Sequence, residues 1–254
     1  MKKSVKLQQI TDYLDNRLEI KAFMRDSSNN GLQVEASGVV SKIVCGVDGC
    51  RELFIKAAEA NADLVIVHHG LSWGGEPRRL TGIDSERFGT LFRKNINLYA
   101  CHLPLDAHPE IGNNAILCSK LPLKERESFF SYCSYNIGYC GSLEQAVKPE
   151  SIAEIFNIPD AKLFGAVNSP VKKIAVVSGG AGLEAVAEAA ERGCNMLITG
   201  EMEHVMYHAA IESNITVLAL GHYESETVGV RAITAEVAAK FDLPHEFIYI
   251  PTGL

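Results

Sequence analysis

SKIVCGVDGCRELFIKAAEANADLVIVHHG, residues 41–70, reads as strand, glycine turn, Ala/Glu-rich helix and strand. Its closing strand, LVIV, is continuously apolar, as in a parallel strand covered on both faces. The same order returns in KKIAVVSGGAGLEAVAEAAERGCNMLITGE, residues 172–201. KI opens both stretches, AAEANADLVI is answered by AAERGCNMLI, and one extra residue in the second glycine turn keeps them aligned. Each is a βαβ unit with the right-handed crossover such units take.

The echo continues outward. NINLYACHLPLD (95–106) is matched by NITVLALGHYESE (214–226): Asn-Ile, an apolar strand, then His, three residues and a carboxylate. The predicted fold is therefore α/β, with two similar lobes related by an internal repeat and mostly parallel sheets flanked by helices. The first lobe spans 1–121 and the second 165–254. Between them, 122–164 carries SFFSYCSYNIGYCGSLEQ and a short helix candidate, ESIAEIF, behind Pro149; it reads as a connecting hairpin or lid and crossover. Leu7, Ile10, Leu14 and Leu18 share one face of an N-terminal helix, GVRAITAEVAAKF (229–241) predicts another, and EFIYIP (246–251) a last strand.

Composition narrows the function. With 254 residues, 47% hydrophobic and 22% charged, the chain is long enough for one large or two modest domains. A net charge of −7 and dispersed Lys and Arg give no basic field, so nucleic acid is disfavoured as a partner. No apolar run approaches the roughly 20 residues of a membrane span, and the N-terminus is amphipathic rather than signal-like; the expectation is a cytoplasmic protein. Seven cysteines, odd in number and without a CxxC pair, fit buried free thiols in a reducing compartment.

In open α/β sheets, ligands gather at the carboxyl ends of the parallel strands. His68 and His69 follow LVIV, His102 and Asp106 follow NLYAC, and His222 and Glu226 follow TVLALG. If the lobes face each other, these groups converge in one cleft. Imidazole and carboxylate suit zinc, iron(II), manganese or cobalt. Six N/O donors exceed what one tetrahedral ion needs, whereas two divalent ions about 3.5–4 Å apart, bridged by a carboxylate, would use them. Adjacent histidines on an extended strand point oppositely, so His68 and His69 would each take a different ion. Glu226 is the better bridge and Asp106 the terminal ligand.

Plainer readings exist for each residue. A buried His beside a sheet is often a hydrogen-bonded core residue, and His102 is open between that role and coordination. Asp106 and Glu226 could cap helices, although this does not explain the repeated His-x-x-x-acid at matching strand ends. EMEHVMYH sets His204 and His208 at i,i+4 with Glu201 one turn earlier. Glu201 stands where the first stretch has His69; with His208 and His102 it is a candidate for catalytic or substrate contacts, while His204 reads as a solvated helix position. SGGAG (178–182) reads as a tight strand-to-helix turn rather than a phosphate cradle, since it lacks the Lys of a P-loop. NNGLQVE (29–35) lines the cleft or serves as a structural turn, and His108 and His245 receive no role.

Taken in order, NNGLQVE, DLVIVHHG, NINLYACHLPLDAHPEIGNNA, SGGAG, TGE and GHYESE closely resemble the Nif-three-like dinuclear metal family, whose bacterial members carry the label GTP cyclohydrolase I type 2 homologue. The resemblance spans nearly the whole chain and implies the short form without an inserted domain. It implies two α/β lobes with a di-metal site in the cleft between them, two divalent ions per subunit held by His68, His69, Asp106, His222 and Glu226 with His102 alongside, and a homohexamer built as a trimer of dimers. A metal-dependent hydrolase acting on a small-molecule substrate is the first functional expectation, with guanine C8 the attacked atom if GTP is the substrate. A non-enzymatic metal-holding ring, acting as chaperone, store or scaffold, is the alternative.

Overall fold

The computed structural model describes residues 3–74 and 79–254. The chain opens with β1 (Val5–Lys6), α1 (Leu7–Arg17), β2 (Gly31–Val34) and β3 (Val39–Val40). Then come β4 (Ile43–Asp48), α2 (Arg51–Glu59), β5 (Leu64–His69), α3 (Gly82–Arg93), β6 (Asn97–Ala100), the short α4 (Leu103–Asp106) and α5 (Asn113–Ser119). A long hairpin follows, β7 (Lys124–Tyr132) and β8 (Tyr135–Val147), with α6 (Pro149–Phe156) and β9 (Lys162–Gly165). The second alternating run is β10 (Val171–Val176), α7 (Gly182–Glu191), β11 (Met196–Thr199), α8 (Met206–Glu212) and β12 (Thr216–Ala219), before α9 (His222–Phe241) and β13 (His245–Phe247).

Packing divides the chain into two compact units. The first comprises Met1–Leu105 and Gly229–Ile250, the second Asp106–Val228 and Pro251–Leu254. This differs from the boundaries expected near 121 and 165. The C-terminal part of α9 and β13 return to the first unit because β13 pairs parallel with β4. Residues 122–164 hold the expected hairpin, β7–β8, and its strand β8 and the following β9 pair with β10 and β12 inside the second unit's sheet.

The first unit holds a five-stranded sheet in the order β13-β4-β5-β6-β2, parallel except for β2. β1 and β3 form a separate antiparallel pair. In the second unit the order is β7-β8-β10-β11-β12-β9. Only its central three strands are parallel; β7, β8 and β9 run antiparallel, so this sheet is mixed rather than mostly parallel. The hairpin is the cause, since a tight turn returns the chain antiparallel. In both units three parallel strands are joined through helices and flanked by an antiparallel strand beside the last, β2 on β6 and β9 on β12.

The cores follow from the sequence pattern. In α1, Leu7, Ile10 and Leu14 are buried together with Leu18 just beyond its end, the stripe predicted from their spacing. Burying such a side chain contributes about 1.5–3 kcal/mol. β4 and β5 are covered on both faces, and Val44, Val65 and Leu98 pack with Phe54 and Leu91 of the covering helices. Val176, Ile198 and Leu218 do the same in the second unit. All seven cysteines are free thiols, five of them buried. Among the described residues no helix is long and apolar enough to cross a membrane.

Candidate metal centre

In the first unit, β5 lies between β4 and β6, and its last two residues are His68 and His69. His68 is fully buried, and its Nδ1 lies 2.8 Å from the Cys101 carbonyl just past β6. A carbonyl only accepts, so Nδ1 is the donor in this bond. On the other side, the parallel register sets Asp48 opposite His69, whose Nδ1 is 2.8 Å from Asp48 Oδ1. His102, beyond the end of β6, places its Nδ1 2.8 Å from Asp26 Oδ1. Asp26 is itself fixed by the Ser28 and Leu103 amides and the Asn30 side chain. Burial opposes ionisation of its carboxyl, but the bond and charge of His102, together with the bonds from Asn30 and Ser28, outweigh it and hold the carboxyl below the usual range.

The rings of His68 and His69 do not diverge as strand alternation predicts. Their centroids are 4.6 Å apart, and His102 lies 5.2 and 5.7 Å from them. One nitrogen from each falls within 4.8 Å of the other two, a grouping that can hold a metal ion. Each ring is held at Nδ1 by an oxygen from a different flanking strand end, Cys101 past β6 for His68 and Asp48 of β4 for His69.

In the second unit, the final helix begins seven residues earlier than the sequence pattern predicts, at His222. His222 and Glu226 therefore stand i,i+4 on its first turns, with Nε2 3.3 Å from Glu226 Oε2. His222 Nδ1 bonds Glu201, just past the end of β11. Asp106 is buried, and its Oδ1 accepts from Asn113 Nδ2 at 2.9 Å and Ser178 Oγ at 3.3 Å. Asn114 ties the same corner, accepting from the Ser178 amide at 2.6 Å. The SGGAG turn presses on the carboxylate: a Cβ on Gly179 would lie 2.4 Å from Glu226 Oε1.

Burial alone would push the His222 pKa down, but Glu226 and Glu201 raise it from 6.5 to about 9. Both pull the same way because both accept from the imidazolium. A cation must displace that proton, so in chelator-stripped protein the apparent zinc affinity should climb through neutrality, by about tenfold per pH unit for one proton, and flatten near pH 9. The linked stability has the opposite sign. The folded pKa exceeds the unfolded one, so the stabilisation is complete below about 6.5 and fades as pH rises through about 9. Competition titrations and thermal melts across pH 6–10 check both.

The family model described as Duf34/NIF3 (NGG1p interacting factor 3) matches residues 5–252. The chain belongs to the NIF3 family. The GTP cyclohydrolase 1 type 2 homolog of Archaeoglobus fulgidus is 44% identical over 248 residues, 98% of this chain and 99% of that protein. The solved structure of TTHA1606 from Thermus thermophilus superposes with a TM-score of 0.87 at 34% identity, covering 98% of this chain and all of that one. That of protein ybgI, described as of unknown function, gives 0.88 at 33% over the same shares.

Within this NIF3 chain, sequence reasoning missed Asp26 and Asp48, the carboxylates behind His102 and His69. Asp48 was within reach, since a parallel register of β4 on β5 puts it opposite His69. Asp26 lies 76 residues from its histidine in an irregular segment, and no periodicity marks it. NNGLQVE is a clamp: Gln33 Oε1 accepts from the Leu71 and Ser72 amides, and Asn30 Oδ1 from the His102 amide. Glu201 is bonded to His222 Nδ1. His208 does not join the site residues of its unit. Helix α8 starts only at Met206 and buries Met206 and Ala210, which turns His208 to the opposite, exposed face with its ring against Tyr207. His204, ahead of α8, is exposed as well, so the two are not neighbours on one helix.

The anchoring carboxylates carry a prediction. Asp48→Asn keeps the shape but weakens the acceptor behind His69, and outer partners of ligand histidines are worth about 10–100-fold in metal affinity. A chelator-competition titration should show a loss in that range with an unchanged melting temperature for the stripped protein.

Proposed function

We propose that this chain is a dinuclear metal protein in which the two strand-end donor sets form one centre, binding two divalent cations per subunit and acting as a hydrolase on a small-molecule substrate. One observation carries the reading: His68, His69, His102 and His222 each have Nδ1 tied to an oxygen, the posture of ligand histidines that present Nε2 to a metal. The donor chemistry fits zinc, iron or manganese. His68, His69, Asp106, His222 and Glu226 would hold the ions, with His102 beside them. The corresponding pairings of the two sheets support an internal duplication, two similar lobes each bringing donors from strand ends to the cleft.

When bound, such cations supply Lewis acidity that acidifies water and polarises an electrophilic carbon or phosphorus. The chain's own part is orientation: Asp48, Asp26, Glu201 and the Cys101 carbonyl hold the rings, and Asn113 and Ser178 hold Asp106. The relatives' name, GTP cyclohydrolase 1 type 2 homolog, points to GTP, with guanine C8 as the electrophile; a phosphoester or amide would suit the same centre. A cytoplasmic homohexamer, a trimer of dimers, completes the proposal. Elemental analysis of protein purified without added metal should find two equivalents per chain, and product screens with GTP, phosphoesters and amides should find metal-dependent turnover. Protein that takes up no metal refutes the reading. Metal without turnover of any of these would favour a metal-holding scaffold instead.

A further inference from the structure

We propose that Trp73 is a stacking wall beside the histidine set and that the molecule received there carries a planar heteroaromatic ring. The proposal deepens the metal-centre reading by naming a substrate class, and rests on it for the location. Trp73 is the chain's single tryptophan. Its indole lies 5.2 Å from the His102 ring, edge-on at 71°, and 6.2 Å from that of His69. Its backbone is zipped to the segment that contains the Asp26 anchor: Trp73 bridges Ser28, Gly74 N donates to Ser27 O at 2.7 Å, and Asn29 N donates to Ser72 O at 3.1 Å. Gln33 holds the preceding two amides, so the ring is fixed before any ligand arrives.

The chemistry of the ring selects its partner. Indole offers one donor, Nε1–H, and here it is spent on the Gly70 carbonyl at 2.9 Å. The side chain is still only partly buried. What it presents is therefore π-surface rather than a hydrogen bond, and a rigid π-surface beside polar ligands favours a flat ring laid against it. A tryptophan serving only to shield the imidazoles would instead alter metal affinity when replaced.

The test uses full-length, zinc-loaded protein and guanosine as the planar probe, with ribose 5-phosphate as the non-aromatic control. Guanosine should quench the tryptophan emission saturably, and ribose 5-phosphate should not. By equilibrium dialysis, Trp73→Phe should retain most guanosine binding, whereas Trp73→Leu should lose about tenfold or more, the share one base-on-aromatic stack carries. Zinc content should be unchanged in both. Guanosine binding that survives Trp73→Leu, or that is absent from the wild type, overturns the proposal, as does loss of zinc in Trp73→Leu. The same dialysis on protein that retains no zinc separates the two ideas. Guanosine bound without zinc leaves the stacking wall standing and the metal centre refuted; zinc bound without guanosine does the reverse.

Discussion

Glu226→Gln protein is expected to carry at least one metal ion fewer per chain than the wild type when both are purified and dialysed together. The substitution conserves volume at a position only 3% exposed, so packing changes little. What changes is donor chemistry. A carboxylate offers two anionic oxygens and can bridge, while an amide offers one neutral oxygen and an NH2 that must find an acceptor. The loss also falls on His222, whose raised pKa depends partly on Glu226. In the stripped variant that pKa should drop toward 6.5, moving the high-pH loss of stability to lower pH. Zinc should therefore raise the melting temperature of the wild type strongly, since ligand at a hundredfold excess over Kd stabilises by about 2.7 kcal/mol, and that of the variant much less. His204→Ala, at an exposed position, is the control and should leave metal content unchanged. Full retention of metal by Glu226→Gln removes the bridging role.

The parts of this protein that local pattern decides were legible from the sequence, and those that depend on register or on distant chain were not. LVIVHHG and TVLALGHYESE mark strand ends because an apolar run stops at polar groups, and the structure has β5 end on His69 and α9 start at His222. The burial of Leu7, Ile10 and Leu14 follows from spacing alone. By contrast, the extra turns of α9 were hidden by GHYESE, whose residues read as a polar loop until the i,i+4 relation of His222 and Glu226 is seen as a helix face. The unit boundaries escaped for another reason. β13 is three residues long, and only its pairing with β4 shows that the C-terminus closes the first sheet. The exposed setting of His208 was not legible because the i,i+4 spacing of His204 and His208 suggests one shared helix face, whereas Met206 and Ala210 set where α8 begins and which side it buries.

Gly179→Ala is expected to damage metal binding more than folding. Gly179 has φ +67, a left-handed conformation that costs an L-residue roughly 1–2 kcal/mol. That strain alone lowers the melting temperature without unfolding a domain of this size. The larger effect is local. The new methyl would stand 2.4 Å from Glu226 Oε1 and 3.4 Å from His222 Nε2, against two side chains proposed to hold metal. The backbone has little freedom to retreat, because the Gly179 amide donates to Ser225 Oγ at 3.1 Å and its carbonyl accepts from Gly200 N at 2.9 Å and Thr199 Oγ1 at 3.1 Å. Glu226 is the softer partner, so its carboxylate gives way and the chelating pair on α9 is broken. Zinc affinity should fall by well over tenfold, while the stripped protein melts cooperatively a few degrees below the wild type. Gly180→Ala is the matched comparison: its nearest contact would be Glu201 Oε2 at 3.5 Å, ordinary van der Waals distance, and it should cost little in either measure. Equal metal affinities for Gly179→Ala and Gly180→Ala would mean that Glu226 is not held where an ion needs it.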